Sequence, residues 1–136
     1  MSSNVFKKEY INGSVYHINF GWTFHPELKS KHLGILYNIK SCDNMMFCIP
    51  MTSPKEKHFK STAGFKSRDF NDLKYSHLYY IKETDSIVLI DQIRTISKAR
   101  IESQYKNDNG KKIVLSNNEK IKLEKAIRKI VNGILE

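Results

Sequence analysis

The residues whose chemistry stands out flank two short apolar runs, Leu33–Ile39 and Met45–Met51. Each run is bounded by polar or turn-forming residues, which predicts two buried strands joined by a hairpin. In adjacent antiparallel strands, the start of one lies beside the end of the next. We therefore expect the cations before the first run to meet the hydroxyls after the second at one end of a sheet. The cations are Lys29, Lys31 and His32, and the hydroxyls are Thr52 and Ser53.

The charge of the chain favours phosphate as the group that such a site would handle. The 136 residues include 23 Lys and Arg against 14 Asp and Glu, a formal net charge of +9. So basic a balance on a chain of single-domain length favours an acidic partner, most commonly nucleic acid. The alternative is a charge that only keeps the protein in solution. A hydrophobic content of 40% is enough for one core and argues against disorder over most of the chain.

Several classes of protein are disfavoured by the sequence. Two cysteines, Cys42 and Cys48, are too few for a zinc site or a disulfide framework, and Cys48 is expected to be a buried small hydrophobe. No cluster of Asp, Glu or His has metal-ligand spacing, so neither a metal nor a cofactor is expected. No apolar segment approaches the ~18 residues of a membrane span. Residues 1–9 have no apolar signal-peptide core and are expected to form a mobile arm, which makes the cytoplasm the expected compartment.

Two polar segments supply further candidate contacts. Basic residues alternate with phenylalanines along Pro54–Lys74, a pattern that suits either a flexible RNA-binding edge or a solvated loop anchored by its phenylalanines. The loop Gly21–Ser30 poses the same choice, because its tryptophan can pin the loop to the core or stack on an unpaired base. The candidate contacts from these segments are Trp22, Lys55, Lys57 and His58.

The elements that must position these residues are further strands and one helix. Ser116 and Glu119 form a capping box that opens a helix over residues 116–135, and its apolar stripe is expected to pack on the sheet. A cluster of Asn, Asp and Gly predicts a turn at Tyr105–Gly110. Apolar patterns predict strands at Val15–Phe20, His77–Ile81, Ile87–Ile90, Gln92–Ile96 as the last core strand, and, more briefly, Ile113–Leu115.

The late segment Asp85–Arg100 resembles a core segment of the MazF/PemK family of toxin ribonucleases, and Gln92–Ile96 is its most specific part. The order of elements agrees across most of the chain, including a strand that ends in Met51-Thr52 and a capped C-terminal helix. The run Thr52–Lys55, with Gly34-Ile35, is similar to the ToxN/AbiQ branch of the same fold, whose antitoxin is an RNA. Where the MazF/PemK family usually has Arg-Pro at the start of the second strand, this chain has Lys31-His32.

The resemblance implies an α+β fold: a small SH3-like antiparallel β-barrel of the CcdB/PemK type with a C-terminal helix, in a single domain over residues 1–136. It also implies a function, the toxin of a toxin–antitoxin pair. Such a toxin would be a homodimeric, metal-independent endoribonuclease that cuts single-stranded RNA selectively, leaving 2′,3′-cyclic phosphate and 5′-hydroxyl ends. Its antitoxin would be a protein rather than an RNA. The alternatives are a non-catalytic RNA-binding module and a CcdB-like toxin that targets gyrase.

For RNA cleavage, the expected catalytic residues are Lys31 and Thr52. Lys31 would stabilise the phosphorane and, with a lowered pKa, transfer a proton, while Thr52 would donate a hydrogen bond to a phosphoryl oxygen. His32 is the alternative cation. If the strand has already begun at these residues, alternation sends His32 to the face opposite Lys31 and favours Lys31. If both residues lie in the preceding loop, His32 can take the role. The residues expected to bind the substrate are Lys29, His32, Ser53, Lys55, Lys57, His58 and Trp22.

Overall fold

The computed structural model describes residues 10–21, 31–37 and 45–135. They form a mixed α+β fold with one seven-stranded antiparallel sheet and a C-terminal helix. Trp22, Lys29, Cys42 and the expected arm over residues 1–9 lie outside the described ranges. The strands are β1 (Val15–Asn19), β2 (Lys31–Tyr37), β3 (Met45–Thr52), β4 (Leu78–Ile81), β5 (Ser86–Leu89), β6 (Arg94–Ser97) and β7 (Ile101–Gln104), and the helices are α1 (Thr62–Ser67) and α2 (Asn117–Leu135).

The antiparallel pair of β2 and β3 lies at the centre of the sheet, as the two apolar runs predicted. Gly34 stands opposite Pro50 in this pair, and the strand order is β4-β5-β3-β2-β1-β7. The end of β3 pairs with β5 and its beginning with β6. A 3-10 turn at Ile90–Gln92 separates β5 from β6. In this turn, the residues that follow β5 leave the strand pairing.

The sheet curls around an apolar cluster on one of its faces. The cluster unites β1, β2 and β3 with β6 and β7, so strands from both sides of the central pair converge on it. No pairing among the described strands closes the sheet. The structure therefore has a curled, open sheet where the sequence predicted a barrel. The members of the cluster are Tyr16, Ile18, Phe20, Leu36, Met46, Cys48, Ile96 and Ile101.

Helix α2 covers the other face of the sheet. The predicted capping box is confirmed: Glu119 N–H donates to Ser116 Oγ at 3.2 Å, and Ser116 N–H donates to Glu119 Oε1 at 3.0 Å. Leu123 is fully buried against the sheet, whereas Lys122 and Lys125 face solvent. Ile127 and Ile130 pack partly buried against the same core, so these members of the apolar stripe face the sheet as expected. The core beneath it contains Val15, Ile35, Ile49, Met51, Ile81, Val88, Ile90, Ile113 and Leu115.

The segment Pro54–Lys74 is folded rather than a flexible loop. It contains 3-10 turns at Glu56–His58 and Phe70–Asp72 with α1 between them. Phe59 and Phe65 pack in a third apolar cluster, against Leu78, Ile87 and Leu89 among others. The phenylalanines therefore do anchor the segment, apart from Phe70, which is 62% exposed.

The strands differ from the prediction in several places. β2 begins at Lys31 rather than Leu33, because backbone pairing with β1 extends to Asn19 opposite Lys31. β7 was not predicted, and Gln92–Ile96 is therefore not the last core strand. The sequence of β7, IESQ, has one buried apolar residue, Ile101, and two exposed polar ones. The later segment Ile113–Leu115 contributes only an isolated bridge, from Val114 to Ser14.

Candidate functional site

The two expected catalytic residues project from opposite faces of the sheet. Gly34 and Pro50 are directly opposite, and alternation from them puts Thr52 on the same face as Gly34 but Lys31 on the other. The Lys31 ammonium lies 3.4 Å from Glu102 Oε1 on β7. The start of β2 and the end of β3 do lie at one end of the sheet, but the Lys31 side chain is directed across β1, away from Thr52.

His32 shares its face with Thr52, and it lies in a small group that we call the Phe20 cluster: Phe20, His32 and Arg94. The ring centroids of Phe20 and His32 are 6.4 Å apart, and the Arg94 guanidinium carbon lies 5.8 Å from the Phe20 ring centroid. Arg94 also donates to Gln92 twice, through Nη2 to Oε1 and through Nε to the backbone oxygen, both at 3.2 Å. The alternative cation, His32, is therefore the better placed of the two for a role beside Thr52.

The hydroxyls and the lysine after β3 lie in a turn that His58 fixes. The Lys55 N–H donates to His58 Nδ1 at 3.0 Å, and the His58 N–H donates to the Lys55 backbone oxygen at 2.9 Å. Because Nδ1 accepts this hydrogen bond, a neutral His58 carries its hydrogen on Nε2. Thr52 is only 5% exposed, opposite Ile87, whereas Ser53 and Lys55 face solvent. Ser53 is thus the more accessible hydroxyl of the expected pair.

A cleft of about 220 Å³ opens beside this turn. Two of the expected substrate-binding residues, Lys57 and His58, lie at it together with residues from β4, β5 and the turn after β5. His77 Nε2 lies 3.8 Å from Asp91 Oδ2, and the rings of His77 and Tyr75 stack at 5.2 Å with 14° between their planes. The full lining is Lys57, His58, Tyr75, His77, Leu78, Leu89, Asp91 and Gln92. The cleft therefore combines cationic, imidazole, carboxylate and aromatic groups over an apolar floor.

Sequence reasoning did not select Tyr75, His77 or Asp91 for this site. They come together because β4 and β5 pair with Leu78 opposite Leu89, so the residue before β4 lies next to the residues after β5. The bond from Ile90 N–H to the His77 oxygen, 3.0 Å long, continues that pairing. The available signal was a histidine at the start of one predicted strand and a carboxylate just after the next.

A larger cavity, of about 460 Å³, lies at the start of α2. Its lining includes Tyr37, Lys120 and Glu124 but no imidazole. Burial raises the pKa of Tyr37, with a further contribution from Glu124. A tyrosine with a raised pKa does not exchange protons near neutral pH as an imidazole does. We therefore place the candidate site at the smaller cleft.

Within residues 10–21, 31–37 and 45–135, no three His, Cys, Asp or Glu side chains are grouped so that they could hold a metal ion. No helix in this part of the chain is long and apolar enough to cross a membrane. Comparison of the sequence with models of known protein families and with curated proteins gave no match.

Proposed function

We propose that the protein is an endoribonuclease that cuts single-stranded RNA without a metal, at the cleft beside the Thr52–Lys55 turn. One observation carries the proposal: a lysine, two imidazoles and a carboxylate line a single cleft of about 220 Å³. These are the groups that transesterification of RNA needs, namely a cation for the phosphate and side chains that exchange protons near neutral pH. The turn beside the cleft adds the exposed hydroxyl of Ser53 as a hydrogen-bond donor.

The surroundings of the cleft suit a polyanion. Lys55, Lys57 and Lys60 are all exposed on the segment that borders it, on a chain with a formal net charge of +9. Arg94 adjoins the cleft through its hydrogen bonds to Gln92. Cations in such an arrangement hold flanking phosphates as point charges or, for arginine, through paired hydrogen bonds.

Exposed aromatic rings favour an unpaired strand over a duplex. Tyr75 is 51% exposed at the cleft, and Phe70 is 62% exposed nearby in sequence. Unpaired bases stack on such rings, whereas bases in an A-form helix are already stacked and their edges lie in narrow or shallow grooves. A single strand could therefore place one base on Tyr75 while its phosphate enters the cleft.

The proposed cleavage of RNA needs no external nucleophile, because the substrate supplies its own. The ribose 2′-hydroxyl attacks the adjacent phosphorus, lysine and hydroxyl donors stabilise the pentavalent phosphate, and the 5′-oxygen leaves with a proton. The ends are a 2′,3′-cyclic phosphate and a 5′-hydroxyl. Ser53 is exposed, so we assign to it the hydrogen bond to a phosphoryl oxygen. Thr52 precedes it, buried at the end of β3.

The finer fold and the biological role rest on the sequence resemblance. The curling of β1, β2, β3, β6 and β7 around one cluster supports a small barrel of the CcdB/PemK type. A toxin role, with an antitoxin partner and a homodimer, has no further support beyond the resemblance of Asp85–Arg100 and Thr52–Lys55.

The test is cleavage of a single-stranded RNA by the purified protein in EDTA, with the ends of the products identified. We expect cyclic phosphate and 5′-hydroxyl ends, and no cleavage of an RNA with one 2′-deoxyribose on the 5′ side of the cut linkage. Ser53→Ala and Lys57→Ala should slow the reaction, whereas Lys125→Ala, on the exposed face of α2, should not. Binding without cleavage would favour the RNA-binding module. A need for added magnesium would contradict the proposal.

A further inference from the structure

We propose that His77 is the general acid of this site, held in place by Asp91 and Tyr75, and that it protonates the departing 5′-oxygen. The inference rests on the proposed function and adds a catalytic residue to it. Neither the apolar runs nor the family resemblance points to His77. The assignment comes from the packing of three side chains that lie apart in the sequence.

Several contacts fix the position of His77. The backbone oxygen of His77 accepts a hydrogen bond from Ile90 N–H at 3.0 Å, which ties the residue to the end of β5. The Tyr75 ring stacks on one face of the imidazole, and Asp91 Oδ2 lies 3.8 Å from Nε2. The side chain nevertheless remains 33% exposed. A group that is oriented by its neighbours but still reaches solvent is suited to act on a bound substrate.

Charged groups of both signs lie around His77. Asp91 Oδ2 lies 3.8 Å from Nε2, Lys57 lines the same cleft, and the Lys74 ammonium lies 5.8 Å from the Tyr75 ring centroid. The two ammonium groups would attract the phosphate of the substrate into the cleft. A phosphate bound there would place its leaving oxygen beside the His77 imidazole.

The other described histidines are less suited to this task. His58 is 4% exposed, and its Nδ1 already accepts the Lys55 N–H. His32 lies in the Phe20 cluster, which contains an aromatic ring and the Arg94 guanidinium but no carboxylate. His17 contacts the Tyr105 ring at 5.8 Å on the first strand and is not part of the cleft lining. Among residues 10–21, 31–37 and 45–135, only His77 combines partial exposure with a nearby carboxylate.

The step balances without any co-reactant except water. The 2′-oxygen forms a bond to phosphorus and its proton passes to water, while the bond from phosphorus to the 5′-oxygen breaks. The electron pair of that bond stays on the 5′-oxygen, which takes the proton of the His77 imidazolium. His77 regains a proton from solvent after the products leave. No atom is oxidised or reduced.

A change of leaving group tests this role directly. The two substrates are an RNA that the wild type cuts and the same RNA with sulfur in place of the bridging 5′-oxygen at the cut linkage. A thiolate leaves without a proton, so a general acid is not needed for the second substrate. His77→Gln should slow cleavage of the ordinary RNA by about 10²–10⁴-fold, the usual contribution of acid–base catalysis. It should cut the sulfur-containing RNA at close to the wild-type rate.

Two further measurements separate this role from a structural one. In His77→Gln, the rate at saturating RNA should lose its decline toward high pH, the limb that a protonated acid produces. Asp91→Asn, which removes a positioning residue, should give a smaller loss with the same rescue by sulfur. His17→Gln is the matched control and should behave as wild type on both substrates. Circular dichroism and RNA affinity verify that each variant is folded and binds, and His77→Asn replaces His77→Gln if the latter is not folded.

Each remaining outcome overturns the assignment. An equal loss on both RNAs would mean that His77 binds or positions the substrate, and no loss would mean that it has no part in the reaction. If the wild type cuts neither RNA, the proposed function itself fails and this assignment falls with it. Cleavage by the wild type together with normal cleavage by His77→Gln would leave the proposed function intact and remove only the general acid.

Discussion

At the scale of single residues, the start of β2 decides which cation can serve the site. Lys31 and His32 are both in the strand, so they point to opposite faces, and Lys31 pairs with Glu102. An exposed ion pair contributes less than ~1 kcal/mol. We expect Lys31→Ala to leave RNA cleavage within a few-fold of wild type. His32→Ala should lower it about tenfold or more, a change of ~1.4 kcal/mol.

Single-turnover cleavage at saturating RNA measures this difference, with RNA affinity measured alongside. Glu102→Ala serves as the control, because it removes the partner of Lys31 without touching the His32 face. A large loss in Lys31→Ala with a normal rate in His32→Ala would restore Lys31 as the catalytic cation, as the sequence alone suggested.

A second residue-scale prediction concerns pH. Hydrogen bonds from Arg68 and Tyr80 to Asp85 Oδ1, at 2.9 and 2.7 Å, tie α1 to the turn between β4 and β5. The bond from Arg68 is the main cause of a lowered pKa at Asp85, and that from Tyr80 adds to it. A lowered folded-state pKa contributes stability above the usual aspartate pKa of about 3.9, and this stability is lost as pH falls through the folded value.

Asp85→Asn should therefore lower the free energy of unfolding at pH 7, by under ~1 kcal/mol because Asp85 is half exposed. The difference from wild type should shrink in acid. Asparagine tolerates the positive φ of 46° at this position, so the backbone is not disturbed. Urea titrations at a series of pH values measure the effect, with Asp108→Asn in the exposed 105–110 turn as control. A deficit that stays constant down to strongly acidic pH would contradict the linkage.

The sequence predicted two residues of the cleft lining, Lys57 and His58, but not the centre of the site. Lys55, Lys57 and His58 were selected because they follow a strand in one short run, and they do lie together. Tyr75, His77 and Asp91 were missed because only the pairing of β4 with β5 brings them to that run. Local spacing identifies groups on one element, whereas a site built across two hairpins requires the register, which the sequence does not specify.

At the scale of elements, the close approach of β1, β2 and β3 depends on Gly34. A Cβ added there would lie 2.6 Å from Cys48 Sγ and 2.7 Å from Ile18 Cδ1, both fully buried side chains. Overpacking of this kind costs ~1–3 kcal/mol. We expect Gly34→Ala to destabilise the protein by about that amount in urea or thermal unfolding.

A double substitution tests whether contact with Cys48 causes this loss of stability. Gly34→Ala with Cys48→Ala should be more stable than the sum of the two single effects predicts, because the second change removes the sulfur that the new methyl group would meet. Strict additivity would show that the added methyl group is accommodated elsewhere.

The elements also show where sequence patterns fail. The capped helix was predicted because its apolar residues recur with a helical period, and the central strand pair because two short apolar runs are bounded by turn-forming residues. β7 was missed because Ile101 is its one buried residue, so no alternation is visible in IESQ. The run from Ile87 to Ile96 was predicted as two strands, and it does form two. The turn at Ile90–Gln92 separates them and places Asp91 and Gln92 at the cleft.

At the scale of the whole molecule, the net charge of +9 should make RNA binding strongly salt dependent. The logarithm of affinity falls linearly with the logarithm of salt concentration, with a slope of about −0.7 for each phosphate neutralised on a single strand. Replacing Lys55, Lys57 and Lys60 together by Ala should reduce the magnitude of this slope, because these exposed lysines border the cleft.

The matched control removes the same formal charge from another surface. Lys122, Lys125 and Lys129 are exposed on α2, away from the cleft lining, and their replacement by Ala should leave the slope nearly unchanged. Fluorescence anisotropy with a labelled single-stranded RNA at several salt concentrations measures both variants. Equal effects of the two triple replacements would mean that RNA binding follows overall charge and not the cleft.

The core beneath α2 joins residues that lie far apart in the sequence. Val15 N–H donates to the Ile113 oxygen, and Leu123 completes the same core. Non-local pairing must wait for both partners, so a nascent chain cannot assemble this core before Leu123 has left the ribosome. If the protein cuts RNA, every shorter nascent chain should therefore be inactive. Limited proteolysis of ribosome-bound chains, each extended by an unstructured linker long enough to fill the exit tunnel, should show protection of the core only when Leu123 is outside the tunnel.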